Sequence, residues 1–258
     1  MERTLYLKET PGLRVSRDGP SLWIERRHTA GQRVPVRLIR RVLIAGNVAL
    51  DTESLMAFAE RGVPITLLNR EGEPVAVVLG SAAGLFARRG QQAAALEDPR
   101  QRDRLCAWLR AWERGRRLVL ASRLDPVTAA RWRQEGMRPA DYDAWIARQA
   151  RLRGVSLRRR GFFRAALQTL ALEIIVGAGW DPHLSPLHRA QPLGFVRDCV
   201  AALQPDADLV WLDSGAGIPD ETGPLPRALA ELFESRRSRL AMLLRRLLDQ
   251  FAVMIWEP

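Results

Sequence analysis

The chain has 258 residues, of which 40 are Lys or Arg and 29 are Asp or Glu, for a formal net charge of +11. Hydrophobic residues make up 47% and charged residues 27%, a globular composition that excludes a disordered or low-complexity chain. Two cysteines, Cys106 and Cys199, exclude a disulfide framework and a four-cysteine zinc site; no apolar run reaches the roughly 18 residues of a membrane span, and the N-terminus lacks the apolar core of a signal peptide, so a cytoplasmic protein with no membrane partner is expected.

The chain reads as strands first and helices later. Thr4–Leu7 has strand character and Pro11-Gly12 a turn. Leu13–Val15 and Leu22–Glu25 flank Asp18-Gly19-Pro20, a hairpin signal. Val34–Ile39 and Arg41–Ile44 are short and β-branched, and Gly46-Asn47 turns into Val48–Leu50. Thr52–Arg61 carries a helical apolar stripe at Leu55, Met56, Phe58 and Ala59, with Thr52 as N-cap and Gly62 as stop. Val63–Leu68 and Pro74–Leu79 return to strand. Beyond Gly80 the pattern is helical: Gln91–Leu124 with Pro99 and Gly115 as breakers, then Ala140–Arg153, Phe162–Val176, Phe195–Leu203 and Arg227–Val253, with a loop over residues 213–226. The expected fold is α+β: an N-terminal β-rich domain over residues 1–80, a linker at 81–90, and a larger all-α domain over 91–258.

The only lysine is Lys8, so every other basic residue is arginine. A GC-rich coding sequence accounts for that ratio but not for the net charge, which points to a polyanion: nucleic acid, or an acidic membrane surface as the alternative. The arginines cluster at Arg110, Arg114, Arg116 and Arg117, and again at Arg148, Arg151, Arg153, Arg158, Arg159, Arg160 and Arg164. Their planar forks suit phosphate oxygens, although solvated helix faces place arginines in the same way. Trp108, Trp112, Trp132 and Trp145 recur among them and are better explained by packing between helices than by stacking on bases. Of the three histidines, His28, His183 and His188, the last stands ten positions before Asp198. That spacing places an imidazole on a loop and a carboxylate on the following helix, two donors able to share a divalent ion at a phosphodiester. Phosphate-loop, GxSxG and HExxH motifs are absent.

The order of these features resembles the CRISPR adaptation integrases, the Cas-one family. The segment VLIAGNVALDTESLMAFAERGVPITLLNREGEPVAVVLG is similar to the family's "GNV…GIpv" stretch, and RRRGFFRAALQTLALEIIVGAGWDPHLSPLH to the hallmark helix leading to its "GLdP…lH" motif. QQAAALEDPRQRDRLCAWLRAWERGRRLVL resembles its first long helix. The resemblance spans nearly the whole chain and is strongest over residues 41–80 and 158–198. It implies an integrase and endonuclease that inserts prespacer DNA into the CRISPR repeat with Mg²⁺ or Mn²⁺. It also implies a homodimer formed through the β domain, a small ferredoxin-like adaptation subunit as partner, and duplex DNA held along the arginines Arg148 to Arg164.

Three metal positions follow from that resemblance. His188 matches the family's histidine and Asp198 its aspartate. The glutamate has no equivalent; the nearest pattern, Asp143 to Arg148 (DAWIAR), puts Asp143 in its place, with Asp125 in DPVTAAR as the poorer candidate. The acid that follows Asp198 by three residues in the family is Ala201 here. Glu-to-Asp withdraws a carboxylate by roughly 1.5 Å, more than metal geometry accepts without backbone adjustment. The alternative is therefore a non-catalytic DNA-binding or scaffold subunit of the same machinery.

Overall fold

A computed structural model describes residues 3–69, 72, 74–80, 86–214 and 227–256. It divides into two compact units: Met1–Leu85 with Glu221–Arg227, and Phe86–Asp220 with Ala228–Pro258.

The first unit is built from two four-stranded sheets. One has the order β1 (Arg3–Lys8), β5 (Ile39–Ala45), β7 (Ile65–Leu68), β8 (Pro74–Val78); the other has the order β4 (Thr29–Pro35), β3 (Ser21–Arg26), β2 (Arg14–Asp18), β6 (Ala49–Leu50). The β2–β3 hairpin pairs Asp18 with Ser21 across Gly19, whose φ of 59° needs no Cβ. In the first sheet β5 runs parallel to both β1 and β7, and helix α1 (Thr52–Ala59) lies between β5 and β7 in sequence as the crossover such pairing requires. Leu7, Val15, Leu22, Val42, Phe58 and Ile65 are buried together in its core.

Two expectations change here. Val34–Ile39 is not one strand: β4 ends at Pro35, which has no N–H to donate, and a 3₁₀ turn over Val36–Leu38 leads into β5. β4 itself begins in the polar Thr29-Ala30-Gly31-Gln32, where no apolar alternation marks a strand; a Cβ on Gly31 would stand 2.1 Å from the Trp23 ring on β3. The cap of α1 is Asp51 rather than Thr52. Its Oδ1 accepts from the Ser54 N–H at 2.7 Å and its Oδ2 from the Arg17 N–H at 3.0 Å, so it joins helix to sheet. The Ser54 and Arg17 interactions together outweigh desolvation and hold its carboxyl below the usual range. The stabilisation is present above the unfolded pKa and lost as pH falls through the folded one. Asp51→Ala is expected to cost about 1 kcal/mol at neutral pH, and less in acid, read by urea unfolding.

The second unit is helical: α2 (Arg89–Glu97), α3 (Pro99–Leu124), α4 (Pro126–Glu135), α5 (Pro139–Leu152), α6 (Arg158–Gly177), α7 (Gly194–Ser214) and α8 (Arg227–Trp256). The expected Gln91–Leu124 helix is two, divided where Asp98 caps α3 and Pro99 opens it; Gly115 passes through unbroken. Helix α2 starts at Arg89, inside the expected linker; residues 81–85 of that linker lie outside the described residues, as do 215–226 of the expected loop. Helix α4 was not expected as a separate element. Helix α7 runs well past Leu203 and through Pro205, which removes one helical hydrogen bond, that to the Ala201 carbonyl.

Helix α6 is buried on nearly every face, and α7 packs on both it and α3. Phe251 of α8 meets Trp180, Phe195 and Trp108 at ring distances of 5.2, 4.6 and 6.3 Å. Trp132 meets Trp145 edge-on at 5.6 Å, so the tryptophans among the arginines are packing residues. No helix of the described residues is long and apolar enough to cross a membrane.

Candidate functional site

The segment between α6 and α7 is irregular in backbone yet tightly held. Gly179, at a φ of 80°, ends α6, and Trp180 beyond it is fully buried. Gln92 of α2 then pins the chain from the side. Its amide donates to the carbonyls of Asp181 at 3.1 Å and Leu184 at 2.6 Å, and its own oxygen accepts the Asp181 N–H at 2.9 Å. Asp181 in turn accepts the His183 N–H at 2.8 Å and faces Arg89 at 3.3 Å. These bonds satisfy backbone groups that would otherwise be buried without partners.

The pinned segment delivers Ser185, Leu187 and His188 to Asp198 on the second turn of α7. Asp198 Oδ2 accepts the Ser185 hydroxyl at 2.6 Å and the Leu187 N–H at 3.3 Å, and its Oδ1 lies 2.5 Å from His188 Nδ1. The His188 N–H donates back to the Ser185 oxygen at 2.7 Å. A Cβ on Gly194 would stand 2.5 Å from the His188 carbonyl oxygen, so only glycine lets α7 begin this close to the loop. Asp198 has no exposed side-chain surface, whereas His188 is 34% exposed. Burial pushes the Asp198 carboxyl up, and its bonds to Ser185, His188 and Leu187 oppose that rise. With Nδ1 committed to Asp198, Nε2 is the remaining nitrogen of the ring. A buried carboxylate orienting a half-exposed imidazole is an arrangement suited to proton transfer or to ligation.

The structure thus brings two of the three expected ligands together. Asp143, on α5, accepts instead from Arg160 at 2.9 Å and is 64% exposed. Among the described residues no three His, Cys, Asp or Glu side chains form a metal-sized group. Asp125 is the cap of α4: it accepts the Thr128 N–H and hydroxyl at 3.1 and 2.7 Å, the Trp145 ring N–H at 3.1 Å, and Arg148 at 2.7 Å. Burial pushes its carboxyl up, but those bonds win and hold it below the usual range.

The arginine cluster divides as well. Arg159 is buried, and Arg160 grips the fully buried Asp208 of α7 with Nε at 3.0 Å and Nη2 at 3.1 Å. Arg159 is thus withdrawn from solvent, and Arg160 is spent on the Asp208 and Asp143 carboxylates. Arg153 donates to Gln149 at 2.6 Å, and Arg148 is engaged with Asp125. Arg151, Arg158 and Arg164 remain exposed. The spacing of arginines carries no signal that separates these groups. The parts the sequence reading missed, Gln92, Ser185 and the Leu187 N–H, are likewise visible only once α2 and α7 converge on one loop.

Residues 5–115 match the family model described as CRISPR associated protein Cas1. A Cas1 protein from Thermotoga maritima superposes with a TM-score of 0.72 at 16% identity, over 95% of this chain and 96% of its own. TtCas1 gives 0.68 at 19% identity over 98% of both chains. A casposase bound to its integration product gives 0.66 at 17% identity, over 93% of this chain and 82% of its own. At these identities the likeness is one of fold. No curated protein matches the sequence.

Proposed function

We propose that this chain, a Cas1 family member by its family match and its fold, is the integrase of CRISPR adaptation, which joins the 3′-hydroxyl ends of prespacer DNA to the CRISPR repeat. The observation that carries the reading is the His188–Asp198 pair, held by Ser185 and Leu187 where α6 passes to α7.

Transesterification at phosphorus asks little covalent chemistry of a protein; positioning and neutralisation of charge do most of the work. Asp198 orients the His188 ring, whose remaining nitrogen is placed to move a proton at the attacking hydroxyl or the leaving oxygen. Arg151, Arg158 and Arg164 are exposed, while the equally exposed Arg148 is held by Asp125; the first three serve the DNA backbone. His188 and Asp198 are of the donor type Mg²⁺ and Mn²⁺ accept; since the Asp198 oxygens are taken by Ser185, Leu187 and His188, an ion would be held by the remaining His188 nitrogen in place of its proton-transfer role and completed by phosphate oxygens and water. Bound, it would polarise the phosphoryl oxygen and activate the attacking hydroxyl.

Two further neighbours of this fold support the partners: TtCas1 in complex with DNA, and a Cas6-RT-Cas1 chain in complex with Cas2. Duplex DNA, a small adaptation partner of that kind and a homodimer formed through the β-rich unit belong to the same reading.

A second reading, a DNA-binding subunit without catalysis, is favoured by one observation: Asp143 is engaged by Arg160, and no third ligand joins His188 and Asp198 among the described residues. Purified protein incubated with a 3′-hydroxyl prespacer, a repeat-bearing plasmid and Mn²⁺ separates the two. Strand-transfer products that disappear with EDTA are the expected result. Tight DNA binding insensitive to EDTA, with no joined product, would establish the second reading instead.

A further inference from the structure

We propose that Arg110 on α3 forms an anion subsite beside His188, where it takes a phosphodiester of the bound DNA. The inference rests on the integrase reading and adds to it a residue outside the arginine cluster to which the DNA was assigned.

The placement follows from Cys106. Its thiol donates to the Pro186 carbonyl at 3.3 Å, so that face of α3 lies against the segment carrying Ser185 and His188. Residues four apart share a helical face about one turn, roughly 5.4 Å, from each other. Arg110 therefore follows Cys106 along the same face, and Arg102 precedes it. The Cys106 thiol feels the charges of Arg110, Arg102, Asp103 and Asp198, in keeping with that placement.

Arg102 and Arg110 are not equivalent. Arg102 lies 3.7 Å from the Asp103 carboxylate. Arg110 is exposed and has no ion-pair partner among the described residues. Nor does Asp198 claim it: that carboxylate is satisfied by Ser185, Leu187 and His188 and has no exposed surface. Among the described residues, the charged groups acting on the Cys106 thiol are Arg102, Asp103 and Arg110 from α3 and Asp198 from α7; His188 and the exposed Arg189 follow Pro186 along the loop. A free guanidinium beside a half-exposed imidazole suits a doubly bonded phosphodiester, whose two unesterified oxygens match the fork of an arginine.

The test uses the whole protein, its thermal unfolding being followed for each variant. Binding of a fluorescent duplex is measured against salt, and strand transfer at saturating DNA. Arg110→Gln is expected to lower the salt slope by about one, the loss of a single phosphate contact, and to slow strand transfer by roughly tenfold or more because the reacting phosphate is less well placed. Arg110→Lys keeps the charge and stem; it should restore the slope while strand transfer stays reduced, since an ammonium cannot reproduce the two-pronged bond. An Arg110→Gln protein with unchanged slope and unchanged strand transfer overturns the subsite while leaving the integrase reading intact. A wild-type protein that neither binds nor joins DNA overturns both.

Discussion

Asp208→Ala is expected to lower the free energy of unfolding by about 3–5 kcal/mol. Its carboxylate is fully buried and accepts from Tyr142 at 2.8 Å, Arg160 at 3.0 and 3.1 Å, Gln204 at 2.9 Å and Trp211 at 3.1 Å. Those donors stand on α5, α6 and α7, so one side chain ties three helices. Desolvation alone would pull the Arg160 pKa down, but Asp208 dominates and raises it well above the usual value. Burial, with Asp208 adding to it, likewise pushes the Tyr142 hydroxyl up. Truncating Asp208 takes the two-pronged partner from a mostly buried guanidinium, leaving it only Asp143, and leaves a phenol and an indole N–H without their acceptor; that penalty exceeds the loss of the pair itself. Urea unfolding should show a lower midpoint at unchanged slope. Pairing Asp208→Asn with Arg160→Met removes both charges at similar volume and should recover much of the loss. A shift below about 1 kcal/mol for Asp208→Ala would mean that the network is not under the strain of burial its geometry implies.

His188→Ala is expected to leave the fold intact and reduce strand transfer by on the order of 10²–10⁴-fold. The ring is a third exposed and its loss removes no core packing, while Ser185 and Leu187 continue to bond Asp198. Asp198→Asn should be nearly as damaging by a different route. The amide oxygen still accepts from Ser185 and Leu187, but the amide nitrogen must donate to His188 Nδ1, which moves the ring proton to Nε2. Nitrogen chemical shifts of the imidazole read that change directly. Because the two residues act as a unit, the double variant should transfer DNA no worse than the poorer single variant. Strand transfer at the wild-type rate by both single variants would remove the pair from the chemistry.

The β2–β3 hairpin and the existence of the long helices are written in the sequence because their causes are local. Asp18-Gly19-Pro20 allows one tight turn, Gly62 and Gly179 stop helices with positive φ, and apolar spacing near 3.6 marks α5 and α8. Elements without a local signature escaped that reading. The polar start of β4 is a strand because β3 pairs with it; α4, by contrast, carries a local signature, Asp125 capping and Pro126 opening it, inside an Arg-rich run that has no clear apolar stripe.

The candidate site divides along the same line. His188 and Asp198 are ten residues apart, and a loop entering a helix brings such residues together with little help, so the sequence by itself determined the pair, along with the fold class and the excess of arginine. Only the tertiary structure decided which carboxylates and arginines act in company. Asp143 and Arg160 are 17 positions apart and belong to the Asp208 network; Arg158 and Arg159 are neighbours in sequence, yet one is exposed and the other buried. Successive residues on a helix point about 100° apart, and which of those directions meets solvent, a buried carboxylate or a bound phosphate is set by the helices packed around it. No linear spacing encodes that choice, which is why Arg110, far from the densest run of arginines, emerges beside His188 only when α3 is laid against the loop before α7.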